Sequence, residues 1–132
     1  ELIDTLIQQS RTYIYTTAMP PALAAATLAS IETIQQEGWR RQQVLQRVAE
    51  FKRAMATTNL QLMPSDTPIQ PVLLGSELSA MQASEKLLSK GLMVSAIRPP
   101  TVEKGMSRLR VTITAEHTAA DIDKLVEGLS KI

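Results

Sequence analysis

Two arginines on one predicted strand have the residue type and spacing to bind an anion. Arg108 and Arg110 alternate with apolar residues at a period of two, the pattern of a half-buried strand whose apolar members are Leu109, Val111 and Ile113. Both guanidinium groups therefore lie on the polar face of a rigid element, where each could bind a carboxylate through two parallel hydrogen bonds. Ordinary solvent-facing strand residues give the same pattern, so the spacing alone leaves both interpretations open.

The segment that precedes this strand, 98–107, is predicted to be a loop. It contains Pro99, Pro100 and Gly105, and two prolines with a glycine exclude regular structure over so short a segment. The usual hairpin connection has about two to five residues, and longer connections are more often binding loops. The loop also brings the hydroxyl of Thr101 close in sequence to the face that carries the arginines.

The sequence contains few other side chains that could act in catalysis or bind a metal. His117 is the only histidine, and we expect it to have a structural role just before the last helix. One histidine without cysteines predicts no metal site. The chain has no His-Glu-x-x-His motif, no glycine-rich phosphate loop and no suitably spaced pair of carboxylates. No complete catalytic set is present, and the sequence assigns no catalytic residue.

Hydrophobic spacing predicts the helices that must position these residues. Apolar residues recur every three or four positions, Ser76 and Thr118 are of the types that cap helix N-termini, and Gly38 and Gly91 mark breaks. The predicted helices cover residues 2–9, 21–37, 39–55, 76–91 and 118–132. The apolar side of the fourth helix is predicted to consist of Ala80, Met81, Ser84, Leu87 and Leu88.

Apolar and β-branched runs predict the strands. They lie at 11–15, 69–75, 92–97 and 108–114, and the proline-marked connection 57–68 leaves room for a short edge strand. The strands at 92–97 and 108–114 are expected to form an antiparallel pair. The order of elements predicts an α+β fold, a small antiparallel sheet with helices packed on one face and the polar face left free.

Composition limits the function classes. The chain has 132 residues, a net charge of +1 and no cysteine. This size allows one packed core. A net charge so close to zero disfavours a nucleic-acid-binding protein, which needs a positively charged surface. No apolar stretch is long enough to span a membrane. The lack of cysteine fits a reducing compartment such as the cytoplasm. The first residue is Glu1 and no leader pattern follows it, so we expect a piece of a longer protein.

Three segments read together resemble a known enzyme family. Residues 11–21 (RTYIYTTAMPP), 96–102 (AIRPPTV) and 107–118 (SRLRVTITAEHT) are similar to the C-terminal part of the pyridoxal-phosphate α-oxoamine synthases. The resemblance implies the smaller domain of the aspartate-aminotransferase-type fold. It also implies that residues 1–20 are the end of the large-domain elements and a connector, and that residues 21–132 are the C-terminal small domain.

The resemblance also implies roles for individual residues. Thr16 and Thr17 match the pair that reaches the cofactor phosphate of the neighbouring subunit. Thr101 matches a substrate-contacting threonine, and Arg110 matches the arginine that holds the amino-acid carboxylate. Arg108 is expected to have a supporting ion-pair role. Glu103 stands where the family usually has proline.

The activity implied by the resemblance is a decarboxylative condensation. Within the family, AIRPPTV is most similar to the members that join L-alanine to a pimeloyl thioester, carried by CoA or a carrier protein, with pyridoxal 5'-phosphate as the electron sink in a homodimer. Two alternatives stay open. The chain could belong to a member that uses glycine and an acetyl thioester, or it could be a free-standing α+β interaction domain without the chemistry.

The lysine that binds the cofactor in this family lies in a Thr/Ser-rich stretch of the large domain. None of the lysines here has such a context: Lys52, Lys86, Lys90, Lys104, Lys124 and Lys131. The resemblance therefore implies that this chain is catalytically inert by itself.

Overall fold

Residues 1–132 are all described in a computed structural model, and they form two units, Glu1–Gly38 and Trp39–Ile132. The boundary expected between residues 20 and 21 concerns the domains of a longer enzyme and stays a prediction.

The first unit consists of two helices and the turns between them. Helix α1 spans Leu2–Gln9 and helix α2 spans Pro21–Gln36, as the hydrophobic spacing predicts. Pro21 occupies the first turn of α2, where its missing N–H removes no helical hydrogen bond. Both helices expose large apolar side chains, among them Leu2, Ile3, Leu6, Leu23, Leu28 and Ile34.

The strand predicted at 11–15 is wrong. The amides of Tyr13 and Ile14 both donate to the carbonyl of Ser10, at 2.9 Å each, and the Thr16 amide donates to the Tyr13 carbonyl at 2.8 Å. These bonds form consecutive turns. β-propensity expresses fit to a neighbouring strand, and no strand lies within this unit to pair with, so local turn bonds are formed instead.

The second unit is an antiparallel sheet with three helices. Its elements are α3 (Trp39–Met55), β1 (Gln61–Leu62), β2 (Ile69–Gly75), α4 (Glu77–Leu88), β3 (Ser95–Ile97), β4 (Ser107–Thr112) and α5 (Ala119–Leu129). The strand order is β1-β2-β4-β3, and every neighbouring pair is antiparallel. The predicted α+β architecture, including the short edge strand and the β3–β4 pair, is confirmed.

The core lies between the sheet and the helices. Strand β4 turns Leu109 and Val111 inward, and Ile113 continues this side, while Arg108, Arg110 and Thr112 alternate with them on the opposite face. Helices α3, α4 and α5 supply the other half of the core, with Val48, Phe51, Met55, Ala83, Leu87, Ile122 and Leu129 among its members. Apolar residues of α3 recur every three or four positions, as in the sequence pattern that predicts this helix, and Val48, Phe51 and Met55 among them are buried.

Two predictions for the region around α4 need correction. The buried residues of α4 are Ala80, Ala83 and Leu87, whereas Met81 and Leu88 are 40% and 60% exposed. The buried face is shifted toward Ala83, because residues three and four apart share one side of a helix and Ala80, Ala83 and Leu87 meet that spacing.

Strand β3 is shorter than the predicted 92–97. The Leu92 amide donates to the Leu87 carbonyl at 3.0 Å, and the Val94 carbonyl accepts from the Ser84 hydroxyl at 2.6 Å. These bonds tie residues 92–94 to α4, so pairing with β4 starts only at Ser95. At the other end of the loop, Ser107 belongs to β4 and not to the loop.

Both α4 and α5 begin at capping residues that the sequence predicts. The Ser76 side chain accepts from the Ser79 amide, and Thr118 and Asp121 form a reciprocal capping box at the start of α5. None of the helices combines the length and the hydropathy that a membrane span requires.

We predict that Thr118→Ala in the full-length protein loosens α5. A lost N-cap costs about 1 kcal/mol, so amide exchange in the first turns of α5 should become about fivefold faster. Hydrogen–deuterium exchange with peptide resolution measures this. Ser76→Ala is the matched control and should accelerate exchange in α4 only. Unchanged exchange in α5 would contradict the capping assignment.

A second prediction concerns the pH dependence of the same cap. Hydrogen bonds from the Thr118 backbone and side chain lower the pKa of Asp121 from its ordinary value. The cap therefore stabilises α5 fully above the ordinary pKa of about 3.9, and this contribution is lost as the pH falls through the lowered pKa.

Carboxyl-carbon NMR titration should place the midpoint of Asp121 below about 3.9. Thr118→Val removes one of the two donors and should raise that midpoint while leaving it lowered, because the backbone donor is kept. A midpoint that does not respond to Thr118→Val would refute the cause.

Candidate functional site

The outer face of the sheet, turned away from the helices, carries the predicted anion-binding arginines. Arg110 lies opposite Pro71 on β2 and Ser95 on β3, and Arg108 lies opposite Leu73 and Ile97. Each arginine is thus the central residue of a row of three across the sheet.

The side chain of Arg110 is accessible on this face. Its side chain is exposed and forms no hydrogen bond or ion pair within the chain. Its neighbours across the sheet are a proline and a serine, which lack the bulk to cover a long side chain. Its Cα belongs to a strand paired on both sides, so the base of the side chain is held in place. The guanidinium can therefore receive a carboxylate from outside the chain.

Arg108 has different surroundings. It is half-buried between two apolar cross-strand neighbours, and its Nε donates to the Met106 carbonyl at 2.9 Å. It forms no ion pair within the chain, and its one side-chain bond is this hydrogen bond to the backbone. The supporting ion-pair role stays a prediction for the full-length enzyme.

Residues 98–106 form the loop between β3 and β4, which carries Thr101. The Thr101 amide donates to the Arg98 carbonyl at 3.0 Å, and Arg98 pairs with Glu77 at the start of α4 at 3.0 Å. The Thr101 side chain is exposed and its hydroxyl has no partner within the chain. Thr101 is therefore held through its backbone and offers its hydroxyl to the outside.

The second half of this loop turns sharply. Gly105 has φ of +83°, a left-handed conformation that favours glycine, and the Met106 amide donates to the Glu103 carbonyl at 3.1 Å. A Cβ on Gly75, at the end of β2, would lie 3.8 Å from the Gly105 carbonyl oxygen. The loop therefore returns close to β2 before β4 begins.

Thr16 and Thr17 belong to the first unit, and their hydroxyls differ. The Thr16 hydroxyl donates to the Thr12 carbonyl at 3.0 Å, and its amide donates to Tyr13. Neither the hydroxyl nor the amide of Thr17 is bonded within the chain. Of the pair, Thr17 has both donors available for an anionic ligand.

His117 has the structural role expected of it. Its Nδ1 accepts from the Thr114 amide at 2.9 Å, which closes the turn between β4 and α5. No group of three or more potential metal-ligating side chains occurs in the chain.

Two contacts at the ends of the loop could not be predicted from the sequence. The Met106 carbonyl is a backbone acceptor and leaves no trace in residue type. Glu77 has the residue type expected in a first helical turn, and nothing in the sequence distinguishes that role from a partner for Arg98.

The sequence of the chain matches a family of known proteins over nearly its whole length. The family model described as aminotransferase class I and II matches residues 1–129. The chain belongs to the aminotransferase class I and II family. This agrees with the resemblance that three short segments indicate.

Individual members of this family are similar over nearly the whole chain. A relative from Stutzerimonas stutzeri named 8-amino-7-oxononanoate synthase is 53% identical over 131 residues, which are 99% of this chain and 33% of the relative. The chain spans about a third of the length of the curated relatives it matches. The expected similarity to α-oxoamine synthases, as a part of a longer protein, is confirmed.

Solved structures of this family share the fold. The structure of 8-amino-7-oxononanoate synthase from Francisella tularensis superposes with a TM-score of 0.82 at 28% identity, over 98% of this chain and 38% of that one. A structure described as SPT with PLP gives a TM-score of 0.88 at 26% identity, over 98% of this chain and 33% of that one. The expected small-domain fold is confirmed.

Proposed function

We propose that this chain is the C-terminal small-domain part of a pyridoxal-phosphate-dependent acyltransferase of the biotin pathway. The full-length enzyme condenses L-alanine with a pimeloyl thioester to 8-amino-7-oxononanoate and releases carbon dioxide. Curated relatives of that name, about half identical to this chain, support the choice of reaction. The observation that carries the proposal is the exposed guanidinium of Arg110, which has no partner in the chain and stands on a strand paired on both sides.

In this proposal Arg110 binds the carboxylate of L-alanine. Two parallel N–H donors match the two oxygens of a carboxylate, which fixes the orientation of the amino acid as well as its position. The Thr101 hydroxyl, delivered by the adjoining loop, is a second substrate contact. The acyl carrier is CoA or a carrier protein.

Thr16 and Thr17 are proposed to contact the phosphate of pyridoxal 5'-phosphate in the neighbouring subunit of a homodimer. The donors of Thr17 fit a phosphate because they are free of other bonds. Thr16 contributes less as a donor, because its hydroxyl proton is directed at the Thr12 carbonyl. The cofactor, when bound, supplies an electron sink for the carbanion.

We also propose that the chain is inert by itself and that the enzyme is cytoplasmic. The cofactor-binding lysine is expected in the two-thirds of the enzyme outside these residues. The exposed apolar side chains of α1, which are Leu2, Ile3, Leu6 and Ile7 at 41–73% exposure, support a chain whose surface is covered by the rest of a longer enzyme. A self-sufficient soluble domain seldom leaves so continuous an apolar stripe uncovered.

Arg110→Ala in the full-length enzyme should raise the KM for L-alanine and reduce kcat/KM by about 100-fold. The loss of two charge-assisted hydrogen bonds to a carboxylate is the physical reason. Steady-state kinetics with L-alanine as the varied substrate measure the effect, and the KM for the thioester should change little. Arg110→Lys keeps the charge without the fork and should be intermediate. An unchanged KM for L-alanine would refute the carboxylate role.

Thr17→Val should weaken cofactor retention by about tenfold, because a hydrogen bond to a charged group contributes about 1.5 kcal/mol or more. The measurement is the dissociation constant of pyridoxal 5'-phosphate from the full-length dimer, followed by absorbance after dialysis. Thr16→Val is the matched control and should have the smaller effect. Wild-type retention by Thr17→Val would exclude the phosphate contact.

A further inference from the structure

Arg108 lies at the base of the loop that carries Thr101. Ile97 and Arg108 form the last residue pair of the β3–β4 hairpin, and residues 98–107 connect them. Arg108 is two residues from Arg110 on the same face, a separation of about 6–7 Å along a strand. Arg108 therefore lies between the loop and Arg110 along the chain.

The surroundings of Arg108 favour an anchoring contact over contact with solvent or a ligand. Its cross-strand neighbours Leu73 and Ile97 are half-buried, as Arg108 is itself. Its Nε donates to the Met106 carbonyl at 2.9 Å. Arg110, two residues away, has the smaller neighbours Pro71 and Ser95, and its side chain has no hydrogen bond or ion pair within the chain.

The contact made by Arg108 continues into the loop. The Met106 amide donates to the Glu103 carbonyl at 3.1 Å, so the same residue receives the Arg108 bond and closes a turn. Gly105, next to Met106, has φ of +83° and turns the chain back toward Gly75. The end of the loop nearest β4 is thus held by a half-buried hydrogen bond.

The other end of the loop is held less firmly. Arg98 pairs with Glu77, and the two side chains are 48% and 50% exposed. Water and salt weaken an ion pair with this exposure. Of the two guanidinium contacts at the ends of the loop, the one made by Arg108 is the better shielded.

We propose that Arg108 is a positioning residue whose Nε, through the Met106 carbonyl, fixes the loop 98–106 and so places Thr101 relative to Arg110. This rests on the proposed function, since Thr101 and Arg110 are the substrate contacts assigned there. It assigns Arg108 a hydrogen-bonding role that does not depend on its charge.

Two substitutions with side chains of equal length, both shorter than arginine, test the hydrogen bond in the absence of the charge. In Arg108→Gln the amide nitrogen occupies the position of Nε, so the donor is kept and the charge removed. In Arg108→Met the side chain matches glutamine in length and has neither donor nor charge. The full-length enzyme is examined by hydrogen–deuterium exchange of residues 98–106 and by steady-state kinetics.

Arg108→Met should make exchange in the loop about fivefold faster and lower kcat/KM by about tenfold, because a loosened loop misplaces a substrate contact. Arg108→Gln should recover most of both losses. Exchange in α4 and α5 should stay as in the wild type and verifies that the variant is folded. Equal losses in the two variants, or no loss in either, would overturn the proposal.

If Arg108→Met does not fold, Arg108→Lys replaces it in the comparison. Lysine keeps the charge but places its donor one bond farther from the backbone. Arg108→Lys should therefore show faster loop exchange and a lower kcat/KM than Arg108→Gln, and the reverse order overturns the proposal.

Failure of the proposed function would give a different result. In that case Arg110→Ala leaves the KM for L-alanine unchanged, while the loop still responds to Arg108→Met, because exchange requires no substrate.

Discussion

The burial of one face of β4 is the constraint on which the rest of the structure depends. Leu109 and Val111 are at most 3% exposed, and Ile113 continues the same side. Because successive side chains of a strand point to opposite faces, burying these residues forces Arg108 and Arg110 onto the outer face. A shift in register by one residue would bury two guanidinium groups without partners, at a large free-energy cost. The core thus determines where the arginines lie.

Two chemically identical side chains acquire different roles on this face through their neighbours. Arg110 stands between small residues and is open to the outside, whereas Arg108 stands between apolar residues and bonds to the backbone of the adjoining loop. The pairing of three strands produces this difference, because the neighbours come from β2 and β3, more than ten residues away in the chain. A similar distinction in the first unit separates Thr16, whose hydroxyl is engaged locally, from Thr17, whose donors are free.

Local signals predicted much of the fold. The capping residues Ser76 and Thr118, the apolar stripe of α3 and the alternation in β4 each act over a few residues, and the structure contains all of them. The failures have a common cause. Residues 11–15 have strand-forming types but no strand to pair with in their unit, and residues 92–94 are bonded to α4 through Leu87 and Ser84. In both cases the conformation depended on whether another element was present to form hydrogen bonds with the segment.

The sequence by itself determined the α+β class, the face on which Arg108 and Arg110 lie, the loop that carries Thr101 and the family resemblance, because periodicity and residue type are local properties. Only the tertiary structure decided that Arg110 is open, that Arg108 bonds to the Met106 carbonyl and that Arg98 pairs with Glu77. Those contacts depend on backbone acceptors and on residues brought together from separate elements. Neither leaves a signal in the spacing of side chains along the chain.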